Sequence, residues 1–390
     1  RGLYIQTPGS GGAVDATPGA SDALFVFLNA ANPAVAIGDL IEVTGPVSEF
    51  SGVTQVTGSA AGAVTLVEAG VGVPAPTPLP TSVVGGQREA FEGMLVAPTG
   101  DYLVSSTHQL GAFGTLWLAP EALAVKSTEQ VGAGAEADAI AAATRAARIL
   151  LDDGYNAQIS NPAHIGEQPY FTADEVVRVG DAVAFPAGGM ILSFGFDDWR
   201  LQPVVPITSN GPAEQIAGFE ARGERPSAPP AVGGDVRVAA YNVFNYFTTL
   251  PGENPEARGA DTAERFATQQ SKIVAAINGL DADVVALQEI ENSVKLGEPV
   301  DEALEVLVAA LNGDAGAGTW AYVPTPAALT DATIVDAITN AIIYRPAAVT
   351  PVGASVTQVD ETVWDIAREP IAQTFDADGY VFTVIANHFK

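Results

Sequence analysis

The chain has 390 residues, no cysteine, and 46 acidic against 17 basic residues, giving a formal net charge of −29. The length allows two or three domains with full cores, and the lack of cysteine excludes disulfides and thiolate metal sites. No apolar run reaches the ~18 residues of a membrane span, and the acidic balance argues against tight, sequence-selective DNA binding. An enzyme surface neutralised locally by divalent cations and a general solubility surface both account for this charge.

Residues 1–73 contain short apolar runs separated by Gly, Pro, Asn and Ser. The runs LYIQ, ALFVFLN, DLIEVTGPVSEF, VTQVTG and AVTLVEAG are typical of β-strands, so an all-β module is predicted. Phe25, Phe27 and Phe50 are expected in its core. No Lys or Arg lies between the first residue and Arg88. A spacer or docking role is therefore favoured over nucleic-acid binding, which stays open as the alternative.

A proline-rich segment, residues 74–85, is predicted to be a semi-rigid connector rather than a core element. Residues 86–207 follow as a second β-rich region. Within it, the alanine-rich stretch from Ala135 to Leu151 predicts one helix that ends in a strand. His108 and His164 have no partner at the spacing of a metal site or a catalytic triad. We therefore expect both to be structural or surface residues.

Residues 208–234 are rich in Pro, Gly and Ser and predict a linker. A strand, a helix and a second strand follow. The first strand ends on Asn242 and Asn245, the helix is expected over Asp261–Leu280 with its first residue as the cap, and the second strand ends at Glu289. Because α/β proteins build their sites at the ends of buried strands, we expect a site there.

Six strings of this region resemble, in order and spacing, the exonuclease, endonuclease and phosphatase superfamily, in particular its secreted bacterial nucleases. They are NVFNYF, RGAD, KIVAAINGLDADVVALQEIEN, DAITNAIIYRP, AREPIAQTF and VIANHFK. The resemblance covers residues 235–390 and implies an α/β four-layer sandwich. Near the N-terminus, GDLIEVTGPVSEFSGVTQVT is similar to the OB-fold-like domain that precedes the nuclease domain in such proteins.

The resemblance implies roles for five residues. Glu289 would bind a divalent metal, with Mg²⁺ expected and Mn²⁺ or Ca²⁺ as alternatives, and Asn242 would lie beside it. Arg368 would contact the substrate phosphate, and His388 would face the scissile phosphate. Asp336 could orient His388. Each residue type also has a structural explanation: a turn for Asn242 and Asp336, and a salt bridge for Arg368.

The chain departs from the family pattern in one respect. The Asp-x-Asn motif and the terminal Asp-His pair of these enzymes do not occur in it. We therefore expect an incomplete sandwich, no catalysis by the 390 residues alone, and an apolar sheet face left without cover, leading to self-association. Arg258 and Asp261 match a family motif whose role the residue types do not indicate, although a helix cap would account for Asp261.

The resemblance implies a secreted or cell-surface nuclease, with its leader removed, that hydrolyses phosphodiester bonds of DNA. The sequence does not separate DNA from RNA, nor endonuclease from exonuclease. One alternative is a phosphodiesterase or phosphatase that acts on a non-nucleic substrate. The other is a non-catalytic acidic surface protein whose nuclease-like part serves only for binding.

Overall fold

The computed structural model describes all but a few short segments of the chain. The described residues are 1–164, 169–170, 176–208, 211–223, 226, 228–332, 336–364 and 367–389. They divide into two compact units, residues 1–224 and 225–390. Both units are rich in β-strand, which confirms the prediction of a β-rich protein with more than one unit. None of the helices in the described ranges is long and apolar enough to cross a membrane.

The first unit is built mainly from short strands. Its strands are β1 (Gly2–Gln6), β2 (Ala23–Phe27), β3 (Leu40–Val43), β4 (Val47–Phe50), β5 (Val53–Thr57), β6 (Val64–Glu68), β7 (Thr77–Pro80), β8 (Leu95–Thr99), β9 (Tyr102–Ser106), β10 (Leu116–Pro120), β11 (Ile149–Leu151), β12 (Ala182–Ala184), β13 (Met190–Gly195), β14 (Asp198–Gln202) and β15 (Gly218–Glu220). Its helices are α1 (Leu110–Phe113), α2 (Ser127–Gln130) and α3 (Ala135–Ala147). As predicted, α3 occupies the alanine-rich stretch and leads into β11.

The N-terminal part of this unit contains a small sheet in the order β1-β2-β5-β4, and β3 pairs with β6. Its core is small and contains Val26 and Val56, which are 0% and 5% exposed. Phe25 and Phe27 are partly buried. Phe50 is 66% exposed, so its predicted place in the core is wrong. The reason is that β4 is an edge strand whose residues are all exposed.

The larger sheet of the first unit has the order β15-β12-β9-β10-β11-β14-β13-β8-β7. Its ends include two segments that the sequence predicted to be connections. β7 lies inside the predicted connector 74–85, pairs in parallel with β8 and buries Leu79 to 1% exposure. An edge strand tolerates Pro78 and Pro80 because it needs no N–H donors on its outer side. β15 lies inside the predicted linker 208–234 and pairs with β12.

The second unit combines strands with longer helices. Its strands are β16 (Val238–Tyr246), β17 (Val284–Glu291), β18 (Ala321–Tyr322), β19 (Ile338–Tyr344), β20 (Thr350–Thr357), β21 (Arg368–Ala377) and β22 (Tyr380–His388). Its helices are α4 (Ala263–Leu280), α5 (Ser293–Leu296), α6 (Glu302–Ala315) and α7 (Glu361–Trp364). One sheet has the order β16-β17-β19-β18, with β16 and β17 parallel, and a second has the order β20-β21-β22.

Helices α4 and α6 cover one face of the β16-β17-β19-β18 sheet. Ile273 and Ile277 of α4 are buried there and form part of the apolar face of this helix. The N-cap is Thr262 rather than the predicted Asp261, because the Thr262 hydroxyl accepts from the backbone N–H of Arg265 at 3.2 Å. Asp261 lies one residue earlier, and its carboxylate pairs with the Arg265 guanidinium at 2.8 Å.

The second sheet covers the opposite face of the first. Ile342 of β19 and Phe375 of β21 are both 0% exposed and belong to one core cluster between the sheets. The expectation that the β19, β21 and β22 strands would present an uncovered apolar face is therefore wrong, because β21 and β22 themselves form the opposing sheet. The exposed apolar side chains belong instead to the outer side of this second sheet, where Val352, Val356 and Ile385 are 46%, 60% and 56% exposed.

Candidate active site

The candidate site lies at two irregularities in strand pairing. One is between the parallel strands β16 and β17, and the other is between β17 and β19. The pairing register shifts between Asn242 and Tyr246, and the pairing of β17 with β19 shifts between Leu287 and Ile290. Three residues near these shifts are in the left-handed region: Phe244 at φ 56°, Asn245 at φ 53° and Glu289 at φ 66°. Each such non-glycine residue costs about 1–3 kcal/mol, so surrounding contacts must hold this backbone in place.

The Glu289 carboxylate supplies two of those contacts. Its Oε1 accepts from the Asn242 side-chain amide at 2.9 Å, and its Oε2 accepts from the backbone N–H of Asn245 at 3.0 Å. The Oδ1 of Asn242 in turn accepts from the backbone N–H of Phe244 at 2.8 Å. The two strand ends are thereby tied together through side chains. The structure thus brings together Asn242 and Glu289, which the sequence predicted to be neighbours.

Helix α4 fixes the same backbone from the side. The side-chain amide of Gln269 donates to the carbonyl of Phe244 at 2.8 Å and lies 3.4 Å and 3.3 Å from the carbonyls of Val243 and Asn245. Sequence reasoning did not single out Gln269. Its only signal was a polar side chain one turn before the buried Ile273, which is also the pattern of an ordinary solvated helix position.

His388, the last residue of β22, faces Glu289. Its Nε2 is 3.7 Å from Oε1 of Glu289, and the His388 side chain is 20% exposed. That separation is too long for a hydrogen bond and short enough for electrostatic attraction between a protonated ring and the carboxylate. Among the described residues, Nδ1 of His388 is buried and has no hydrogen-bond partner.

Arg368 pairs with His388 in the β21–β22 register, which places both residues at one end of the second sheet. A terminal nitrogen of Arg368 is 2.8 Å from Oδ2 of Asp336, while Arg258 donates to Oδ1 of Asp336 at 2.9 Å. That Oδ1 also accepts from the backbone N–H of Ala337. The described contacts of Asp336 therefore join it to two arginines and not to His388, the partner expected from the sequence.

Glu291 has a structural role. It is 2% exposed, and its carboxylate accepts from the backbone N–H of Thr249 at 2.8 Å and from the hydroxyls of Thr249 and Thr248 at 3.1 Å and 3.3 Å. Glu291 therefore anchors the loop after β16, while Glu289, two residues earlier on the same strand, is turned toward Asn242 and His388.

The residues around Glu289 offer a divalent cation one protein carboxylate. Mg²⁺ takes oxygen ligands and commonly uses one or two protein carboxylates, with water and phosphate completing its shell. Glu289 is a carboxylate of this kind with its orientation fixed by Asn242. Across the described ranges, no group of three or more His, Cys, Asp or Glu side chains could hold a metal. These residues fit a cation that relies mainly on water and phosphate, and they do not fit one enclosed by protein ligands.

A second polar cluster lies in the first unit and is closed to solvent. Nε2 of His164 is 2.9 Å from Oδ2 of Asp153, and both side chains are 0% exposed. Burial raises the pKa of the Asp153 carboxyl. The neighbouring Asp152 pairs with Arg200 at 2.9 Å. This burial agrees with the structural role expected for His164, while His108 is exposed.

Comparison with known proteins adds no family to these observations. No protein-family model matches the chain, and no curated protein matches it at a significant level.

Proposed function

We propose that this protein is a divalent-metal-dependent nuclease, secreted or cell-surface, that hydrolyses phosphodiester bonds of DNA or RNA. The proposal includes an exonuclease, endonuclease and phosphatase type of sandwich for residues 235–390 and an OB-fold-like module for residues 1–73. One observation supports it above the others: the strained Glu289, held by Asn242, faces His388 at the paired strand ends. Strained backbone of this kind is characteristic of functional sites.

In this proposal Glu289 would hold the cation, and Asn242 keeps the carboxylate in one orientation. A bound Mg²⁺ would polarise a phosphate oxygen and offset the negative charge that develops during hydrolysis. His388 has one nitrogen near Glu289 and can donate a hydrogen bond to a non-bridging phosphate oxygen. Arg368, beside His388 in the sheet register, offers a planar pair of donors to the same phosphate.

The acidic composition limits the kind of nucleic-acid binding that fits the proposal. With a net charge of −29, the protein has few Lys and Arg side chains that could bind phosphates and release counterions from a duplex. Weak, sequence-independent contact at the site is consistent with that charge. Tight binding by the N-terminal module, residues 1–73, is not, because Arg1 is its single Lys or Arg residue. Turnover of exposed nucleic acid in a medium with ample divalent salt matches these properties.

The test has two parts. The first measures cleavage of a fluorescently labelled oligonucleotide by the full-length gene product in Mg²⁺ and in EDTA, comparing wild type with Glu289→Gln. The variant should lose several orders of magnitude in rate, because a missing metal ligand removes the charge stabilisation. Glu298→Gln, which changes an exposed acid of the same unit, is the matched control and should cleave normally.

The second part measures Mn²⁺ binding to the 390-residue chain by electron paramagnetic resonance. It does not depend on catalysis. Glu289→Gln should lose Mn²⁺ binding at the candidate site, and Glu298→Gln should retain it. Normal cleavage and unchanged Mn²⁺ binding in Glu289→Gln would refute the proposed role of this carboxylate.

A further inference from the structure

Two arginines share one carboxylate beside the candidate site. Arg258 contacts Oδ1 of Asp336 at 2.9 Å, and Arg368 contacts Oδ2 at 2.8 Å. The three side chains are 48%, 18% and 32% exposed for Arg258, Arg368 and Asp336, respectively. The group is therefore reachable from solvent and is not a buried structural ion pair.

The backbone that carries Arg258 is packed against the strained strand end. A Cβ at Gly259 would lie 2.7 Å from Cβ of Phe247 and 2.9 Å from the carbonyl oxygen of Asn245, so only glycine allows this approach. On the other side of Arg258, Ala257 is 8% exposed. These contacts fix the position of Arg258 next to the backbone that positions Glu289.

The charges and donors of this group point to an anion. Two guanidinium groups face one carboxylate, which leaves one positive charge in excess within a protein of net charge −29. Each carboxylate oxygen is met by a different guanidinium, an arrangement that a phosphate with several acceptor oxygens can also adopt. Nε of Arg368 is buried and has no hydrogen-bond partner among the described residues.

We propose that Arg258 and Arg368 together form a phosphate-binding site, and that Asp336 fills this site when no substrate is bound. A phosphate of the substrate takes the place of the Asp336 carboxylate and recruits Arg258 as a second phosphate-binding residue. This proposal rests on the proposed function only in taking a phosphodiester chain as the ligand. It gives a role to Arg258 of the RGAD segment, for which the residue type indicated none.

The test measures binding of a fluorescein-labelled oligodeoxythymidylate by anisotropy in EDTA, where no metal-dependent cleavage occurs. Arg258→Gln should weaken binding and lower the slope of log affinity against log salt by about 0.7, the value for one phosphate contact on a single strand. Arg258→Lys should retain the slope because it keeps the charge. Arg265→Gln removes another exposed arginine of the same unit, one paired with Asp261, and should change neither quantity.

The Asp336→Asn variant tests whether Asp336 competes with phosphate or only positions the two arginines. If Asp336 competes with phosphate, removing its charge should raise oligonucleotide affinity roughly tenfold, as expected for one charge at close range in a partly exposed site. Inorganic phosphate should then compete with the oligonucleotide more strongly than it does in wild type. If free phosphate fails to compete while the oligonucleotide still binds more tightly, the site takes only phosphate within a nucleic-acid chain.

Lower oligonucleotide affinity of Asp336→Asn at unchanged melting temperature would overturn the proposal that phosphate displaces Asp336. An unchanged salt slope in Arg258→Gln would overturn the proposal that Arg258 binds phosphate. Absence of oligonucleotide and phosphate binding by Asp336→Asn would do the same. The outcome is independent of the nuclease proposal. Binding that follows the expected pattern, with no cleavage by the full-length gene product in the Mg²⁺ assay, would refute the nuclease and leave this site standing. Cleavage in that assay with an unchanged slope would refute only this site.

Discussion

Replacing Gln269 with Ala should loosen the strained strand end without unfolding the unit. Of its three carbonyl contacts only the one to Phe244, at 2.8 Å, has the length of a good hydrogen bond, while those at 3.3 Å and 3.4 Å contribute little. A neutral hydrogen bond contributes about 1 kcal/mol net. For a unit of this size the melting temperature should fall by roughly 2–4 °C.

The local effect should be clearer than the global one. Phe244 and Asn245 are both in the left-handed region, at about 1–3 kcal/mol each, so a loss of about 1 kcal/mol lets the strand end visit relaxed conformations. In those conformations the backbone N–H of Asn245 leaves Glu289. Amide hydrogen exchange at Asn245 should therefore accelerate roughly fivefold, as about 1 kcal/mol predicts.

Thr268→Ala is the control for this experiment. Thr268 is exposed on α4, and the one partner of its hydroxyl in the described part of the chain is a carbonyl of its own helix, at 3.1 Å. It should change neither exchange at Asn245 nor the melting temperature by a comparable amount. Unchanged Asn245 exchange in Gln269→Ala, together with a normal drop in melting temperature, would show that other contacts hold the strand end and that the reasoning is wrong.

Two more predictions follow from carboxylates of the second unit. Glu289→Gln and Glu291→Gln each leave fewer acceptors for several donors, so both should lower the free energy of unfolding by about 1–3 kcal/mol in chemical denaturation. Only Glu289→Gln should lose Mn²⁺ binding. Equal loss of Mn²⁺ binding in both variants would contradict the separate roles of the two carboxylates. Hydrogen bonds from Arg345 and Arg237 lower the pKa of the Asp281 carboxyl below its ordinary 3.8. Its contribution to stability is therefore present above that value and disappears as the pH falls through the lowered pKa. Asp281→Asn should melt below wild type at neutral pH and equal it in acid, as measured by circular dichroism; a difference that persists in acid would refute this.

The sequence predicted the position of Glu289 because a short apolar run with a polar end is a local signal. That Asn242 lies nearby was implied by the family resemblance, whereas the residue type alone favoured a turn or cap. The sequence could not predict the left-handed conformations. An irregularity in strand pairing depends on which strands become neighbours, and the alternation of residues along a single strand does not contain that information.

The sequence also could not predict contacts between residues that are far apart along the chain. Asp336 bonds to Arg258, 78 positions away, across a contact that only the folded unit creates. The buried Leu79 shows the same limit: a Pro-rich segment resembles a linker, and becomes a strand only because β8 offers it an edge. The prediction of an uncovered apolar face was wrong for the same reason. β21 and β22 pack against β19 in one core cluster, and the pattern of residues along a single strand does not indicate which strand it will pack against.

The left-handed residues also limit how far this protein can be stabilised by engineering. Glycine at position 244 or 289 would remove a steric penalty in the folded state, yet it would also give the chain more freedom and delete the side chain that the fold strains to present. Selection for heat resistance alone would therefore favour changes that relax this strand end. Libraries screened only for melting temperature should accumulate variants that fold well and have lost the geometry around Glu289.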